Sequence, residues 1–176
     1  MRTRVLSTGV FLLASIALIG CASGGTTTAV QPLTTSLGSS YKTVLVEVST
    51  SVPDTNSDAQ ALENEIITEL RKNPSFTKVI SATGAPDAKV DLRLKAKIVD
   101  MKKVSAGKRV MLGGLAGRGR VKVDTDLVDG KSGKVLGSFT SEGKTSGGTA
   151  FAGTTEQALR RAAEEIAGFV AQSTGG

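Results

Sequence analysis

The chain has 176 residues, with 22 Lys and Arg against 16 Asp and Glu, a formal net charge of +6, and no histidine. Without histidine there are no His metal ligands, no Ser-His or Cys-His nucleophilic pairs, and no ordinary acid–base group at neutral pH. A single cysteine excludes an intramolecular disulfide, and 3% aromatics with no tryptophan leave a core of Val, Leu, Ile and Ala.

Arg2 and Arg4 give a positive start, and Val10 to Ile19 form a short apolar run. The run ends in Leu18-Ile19-Gly20-Cys21, the pattern of a secretory signal peptide with a lipobox. A spanning helix needs about 20 apolar residues, more than this run supplies. The small Gly20 lets a peptidase reach the backbone, and the Cys21 thiol is the atom that takes the lipid. Residues 1–20 are therefore expected to be cleaved, with lipid attached at Cys21 and the chain tethered to a membrane. Ala22, and not aspartate, follows the cysteine. That favours the periplasmic side of the outer membrane, or the cell membrane in a host with one membrane.

The mature chain would keep 156 residues, one domain and a tether, with 20 basic against 16 acidic side chains once Arg2 and Arg4 are gone. Outside the cytoplasm such a surface meets lipid, lipopolysaccharide, acidic glycan or acidic protein, and no nucleic acid. Residues 21–40 carry no charge and are rich in Ser, Thr and Gly, the composition of a flexible tether.

The domain is expected over residues 41–172, with 173–176 a disordered tail. Tyr41 to Thr50 reads as a strand, with Val44, Val46 and Val48 on one face. A helix follows, roughly Ser57 to Lys72, with Ser57 as its N-cap and an apolar stripe through Leu62, Ile66 and Leu70. Asn73-Pro74 ends it. Phe76 to Ile80 is a short strand. Ala88 to Val99 alternates almost without a break: Val90, Leu92, Leu94, Ala96 and Ile98 against Lys89, Asp91, Arg93, Lys95 and Lys97. That spacing predicts one buried and one wet face. Arg118 to Val128 repeats the pattern. Asp129-Gly130-Lys131-Ser132-Gly133 is a turn, with positive φ expected at both glycines. Lys134 to Ser141 is the fifth strand. The last helix spans about Thr155 to Gln172, with Thr154 and Gln157 as a capping box. The order β-α-β-β-β-β-α predicts an α+β fold, a mostly antiparallel sheet with two helices packed on one face.

The lipobox, the alternating strand ending in Ile98-Val99-Asp100, the glycine-rich residues 113–119 and the strand-turn-strand from Asp126 to Leu136 resemble a group of bacterial lipoproteins catalogued as a domain of unknown function. The likeness covers about Tyr41 to Val170 and implies no catalytic residues. Val128-Asp129 and Ser132-Gly133-Lys134-Val135 resemble, more distantly, a turn of the periplasmic domain of the curli-secretion pore lipoprotein. Met101 to Gly117 is too short and glycine-rich for a spanning hairpin, so the resemblance implies the domain without the pore. The pore relatives also suggest a homo-oligomer assembled through a sheet edge.

Gly113, Gly114, Gly117 and Gly119 lack the following helix and the Lys-Ser pair of a phosphate loop, and read as a connection between strands. Val110-Met111-Leu112 could touch lipid or a partner at its tip. Glu63 with Glu65, and Glu164 with Glu165, point apart on their helices and read as solvated surface. Tyr41 has no activating base. Charge asymmetry is the better clue. Between Lys89 and Lys122 stand eleven basic residues and only two acidic ones, Asp91 and Asp100. If the alternating strands pair antiparallel, Arg93, Lys95 and Lys97 would share a wet face with Arg118, Arg120 and Lys122. Like charges opposite one another are destabilising unless an anionic partner neutralises them. The competing reading is a solvated face that discourages edge-to-edge aggregation.

The sequence thus predicts a lipid-anchored, non-enzymatic envelope protein, without cofactor or metal, acting as accessory or adaptor of an envelope assembly. The alternative is a module that binds anionic envelope components through the cationic strand face.

Overall fold

A computed structural model describes residues 25–33, 37–104, 118–145 and 153–174. Among these residues six strands form one sheet: β1 (Gly25–Gln31), β2 (Thr43–Thr50), β3 (Lys78–Ser81), β4 (Leu92–Lys102), β5 (Arg120–Asp129) and β6 (Val135–Lys144). Their order across the sheet is β1-β6-β5-β4-β2-β3. The pairs β1–β6, β6–β5 and β5–β4 are antiparallel, while β2 runs parallel to both β4 and β3. Two helices, α1 (Asn56–Leu70) and α2 (Thr155–Thr174), pack on one another and on the sheet. The expected α+β class holds, with a sheet that is mixed but mostly antiparallel.

The core lies between the sheet and the helices. Val44 and Val46 of β2, Leu92, Leu94 and Ile98 of β4, and Val121, Val123 and Leu127 of β5 are fully buried. Leu62, Ile66 and Leu70 from α1 and Ala162, Ala163, Ile166 and Val170 from α2 meet them. The alternation of β4 and the helical stripe thus face each other, as period two and period 3.6 require. Phe139 stacks on Phe169 with ring centroids 4.1 Å apart. Two glycines side by side, Gly25 and Gly143, lie under α2. A Cβ on Gly143 would sit 2.1 Å from the Ala158 carbonyl oxygen, so the close seating of α2 on β6 depends on its absence.

The domain starts earlier and ends later than the sequence predicts. Gly25–Gln31, expected within the tether, pairs with β6 as an edge strand. Thr27 Oγ1 lies 3.2 Å from Ser141 Oγ and donates to Glu165 Oε2 at 3.2 Å. Leu33 packs against the core and Leu37 is buried in it. Edge strands bury little, so β1 carries Thr-rich β propensity without apolar alternation and reads as a linker. At the other end α2 includes Ser173 and Thr174, and the Leu37 N–H donates to the Ser173 carbonyl at 3.0 Å.

Local signals mostly behave as expected. Gln157 N–H donates to Thr154 Oγ1 at 3.4 Å, and the Gln157 amide oxygen accepts from Gly153 N–H at 2.6 Å. Helix α1 is capped at Thr55, two residues before the expected Ser57, and Thr55 Oγ1 is held by Thr50 and the Val52 carbonyl. In the β5–β6 turn only Gly133 has positive φ, at 71°. Gly130 is required by close approach: a Cβ there would lie 2.0 Å from the Val90 carbonyl oxygen.

Candidate functional site

The wet face of the sheet can be read in rows across the strands. Lys95 lies between Glu47 on β2 and Asp126 on β5, and Lys97 faces Asp124. Lys122 lies between Asp100 on β4 and Glu142 on β6. Arg93 faces Val128, and its guanidinium donates to the carbonyls of Pro86 and Ala88 at 3.2 Å. The like-charge opposition expected for Arg93, Lys95, Lys97 and Lys122 therefore fails in the body of the sheet. Opposite charges alternate across strands there, which favours pairing and leaves no cationic face.

One row differs. At the end of the sheet Lys144 on β6 faces Arg120 on β5, and Arg120 faces Lys102 on β4. Three cations stand abreast, and exposed Arg118 lies just beyond Arg120. A register shift between Ile98 and Asp100 makes the row. Without it, Lys97 and Met101 would share a face. With it, Met101 turns to the core and Lys102 to solvent, the re-aiming that a bulge produces.

These side chains line a cleft of 560 Å³ with Gly25, Thr26, Gly119 and Thr145. Among the described residues the cleft wall has four cations and no acid. Arg120 Nη2 pairs with Asp100, and Arg120 Nε lies 3.7 Å from Glu142. Lys144 pairs with Glu142 at 2.9 Å. Among the described residues no carboxylate lies within ion-pair distance of Lys102 or Arg118. Thr145 fixes the floor: its Oγ1 accepts from Gly119 N–H at 3.0 Å, and its own N–H donates to the Gly119 carbonyl at 3.1 Å. The first residue of the cleft, Gly25, is four positions after Cys21.

At the opposite end of the sheet two carboxylates, Asp91 and Asp129, latch neighbouring elements together. Asp91 Oδ2 accepts from Lys42 N–H at 3.1 Å, Thr43 N–H at 3.0 Å and Thr43 Oγ1 at 2.9 Å. The Thr43 hydroxyl bond, more than the others, holds the Asp91 carboxyl below its usual range. Asp129 Oδ1 accepts from Ser132 N–H and Ser132 Oγ, both at 2.7 Å, and Oδ2 accepts from Tyr41 at 3.0 Å. Led by the Ser132 backbone bond, these contacts lower the Asp129 carboxyl to about 2. Burial, then the bond to Asp129, raises the Tyr41 phenol. Through Asp91 Oδ2 and both Asp129 oxygens this end clamps β2, β4 and the β5–β6 turn.

Of the six cations predicted from sequence, Arg118 and Arg120 reach the cleft, while Arg93, Lys95, Lys97 and Lys122 do not. Lys102 and Lys144 were not among the six. Lys102 is signalled only by the consecutive apolar pair Ile98-Val99, which breaks the period of two. Lys144 follows from continuing the alternation of Ser138, Thr140 and Glu142. Cys21, Val110-Met111-Leu112, Gly113, Gly114 and Gly117 lie outside the described residues. Glu63 is buried, contrary to the solvated surface expected, and takes hydrogen bonds from Ser81 and Thr83. Among the described residues no group of three His, Cys, Asp or Glu could hold a metal, and no helix is long and apolar enough to cross a membrane. The cleft has charge to hold an anion.

The family model described as a domain of unknown function (DUF4410) matches residues 27–149, from within β1 to beyond β6. A PelC dodecamer from Paraburkholderia phytofirmans has a similar fold at 16% identity and a TM-score of 0.61, covering 86% of this chain and 99% of that one. A variant of that dodecamer gives 18% identity and a TM-score of 0.59 with the same coverage. Protein XCC0632 from Xanthomonas campestris gives 14% identity and a TM-score of 0.53, covering 79% of this chain and 87% of that one. Identities this low speak for the fold alone. A search of curated proteins finds no match.

Proposed function

The chain belongs to the DUF4410 family, and from that premise we propose that it is a lipid-anchored accessory protein of the bacterial envelope. Cleavage before Cys21 and lipidation of its thiol hold the domain at a membrane, on the periplasmic side of the outer membrane in a two-membrane host. The role is non-enzymatic: the domain is an adaptor that presents surfaces to an envelope assembly. The observation that carries this reading is the closeness of the lipobox cysteine to folded structure. Four residues span at most about 14 Å, so a lipid on Cys21 would draw β1 and the sheet end next to the bilayer. A homo-oligomer is part of the proposal. The sheet ends in two edge strands, β1 and β3, with Val30 of β1 70% exposed. Unpaired edge strands offer backbone donors and acceptors to a further copy. The similarly folded PelC is a dodecamer.

The test is metabolic labelling with palmitate in intact cells, followed by in-cell crosslinking. The native chain is expected to take up label and Cys21→Ser to lose it. Crosslinking is expected to give a ladder of copies or one dominant envelope protein. A native chain without label would refute the anchor, and a chain crosslinked to nothing would refute the adaptor role.

A further inference from the structure

We propose that the cation row at the end of the sheet, Lys144, Arg120 and Lys102 with Arg118 beyond it, docks the domain onto anionic phospholipid headgroups. The bilayer is the one that holds the lipid on Cys21, so this surface rests on the anchor proposed above and adds what meets the membrane.

Three features converge on the same end of the molecule. The first is charge. Every inner row of the wet face alternates sign across strands, whereas this row sets cation against cation twice. Neighbouring like charges raise the free energy of the sheet, and an anion between them removes that cost. Asp100 and Glu142 engage Arg120 and Lys144 but leave Lys102 and Arg118 unmatched. The second is shape. The cations open onto a shared cleft of 560 Å³, room for a phosphate-bearing headgroup. The third is place. Gly25 lines this cleft and follows Cys21 by four residues, a reach of about 14 Å. A lipid on Cys21 would therefore hold Gly25, at the margin of the cleft, no deeper in solvent than about one and a half Debye lengths. At the far end of the sheet Asp91 Oδ2 and both Asp129 oxygens are filled by internal donors. The domain thus carries beside the anchor an end where cation faces cation, and away from it an end whose carboxylates Asp91 and Asp129 bond within the fold.

Each Lys or Arg near an anionic leaflet is expected to raise the docked population about fivefold. The test uses the native lipidated chain, purified from membranes and placed in lipid discs. One set is phosphatidylcholine alone, and the other contains phosphatidylglycerol in equal part. Lysine acylation is then followed residue by residue. Lys102 and Lys144 are expected to label about fivefold or more slowly in the anionic discs, with Lys95 and Lys97 unchanged. Arg118→Gln, at an exposed position without an ion pair among the described residues, is expected to return the two lysines toward the neutral-disc rate. Inorganic phosphate added to neutral discs is expected to change nothing. Equal labelling of Lys102 and Lys144 in the two discs overturns the proposal. So does uniform slowing of all four lysines, unaltered protection in the Arg118 variant, or protection by phosphate alone. Intact mass separates the two ideas. An unmodified Cys21 defeats the anchor, whereas a lipidated chain that labels equally defeats only the docking.

Discussion

Replacing Gly143 with alanine should test the packing that carries the cationic cleft. Gly143 stands on β6 beside Lys144 and is paired with Gly25 on one side and Val121 on the other. A Cβ there would lie 2.1 Å from the Ala158 carbonyl oxygen and 2.7 Å from the Ala162 nitrogen. Both are main-chain atoms of α2, so no side-chain rotation relieves the clash. To restore an ordinary 3.4 Å contact the helix must retreat by 1.3 Å. That retreat opens the layer where Ala162, Ala163 and Ile166 are fully buried. Overpacking of a filled core costs about 1–3 kcal/mol, and a clash of backbone on backbone belongs at the top of that range. For a domain of this size about 3 kcal/mol lowers the melting temperature by about 6–12 °C. Thermal and urea unfolding followed by circular dichroism reads the change. Gly168→Ala is the control, because its Cβ meets nothing within 4 Å on the same helix. It should stabilise the chain by up to about 1 kcal/mol through helix propensity. If Gly143→Ala unfolds at the native temperature, α2 does not lie on β6 as described, and the cleft it supports loses its frame.

Two further outcomes follow from buried polar atoms and from the latch. Thr125 is buried on β5 and its hydroxyl has no hydrogen-bond partner among the described residues. Thr125→Val keeps the shape and removes the unsatisfied group, so urea unfolding should show a gain of about 1 kcal/mol. A loss would mean that the hydroxyl is satisfied in solution. The Asp129 carboxyl is lowered from 3.8 to about 2 in the folded chain. Its contribution is complete above the unfolded value of 3.8 and is lost as pH falls toward 2. Stability of the native chain should therefore drop through that window, and the drop should be shallower in Asp129→Asn, measured by urea unfolding at stepped pH. Identical slopes would show that the turn does not depend on that carboxylate.

How much of this molecule was legible in the chain depends on the range of the interaction. The strand from Leu92 and the helix through Leu62, Ile66 and Leu70 announce themselves because each buries one face, and burial prints its period on the sequence. The missing histidine and the lipobox pattern around Cys21 are also local facts, as is the turn at Asp129, whose side chain bonds its own neighbours. β1 was hidden because an edge strand is stabilised by backbone bonds to β6, 114 residues away at Thr27 and Ser141, which no local pattern records. The charge reading failed for a related reason. Composition showed that the region from Lys89 to Lys122 is basic, but not what faces what. Register decided that Lys95 meets Asp126 and Glu47 while Lys102 meets Arg120, and one shift between Ile98 and Asp100 set that register. Because side chains alternate with period two, a single extra residue exchanges the faces of everything after it. Class of fold, layers and expected anchor all follow from local pattern along the chain. Only the tertiary structure gathered cations from β4, β5 and β6 into one row beside the start of β1, because strand pairing brings together residues that the chain keeps far apart.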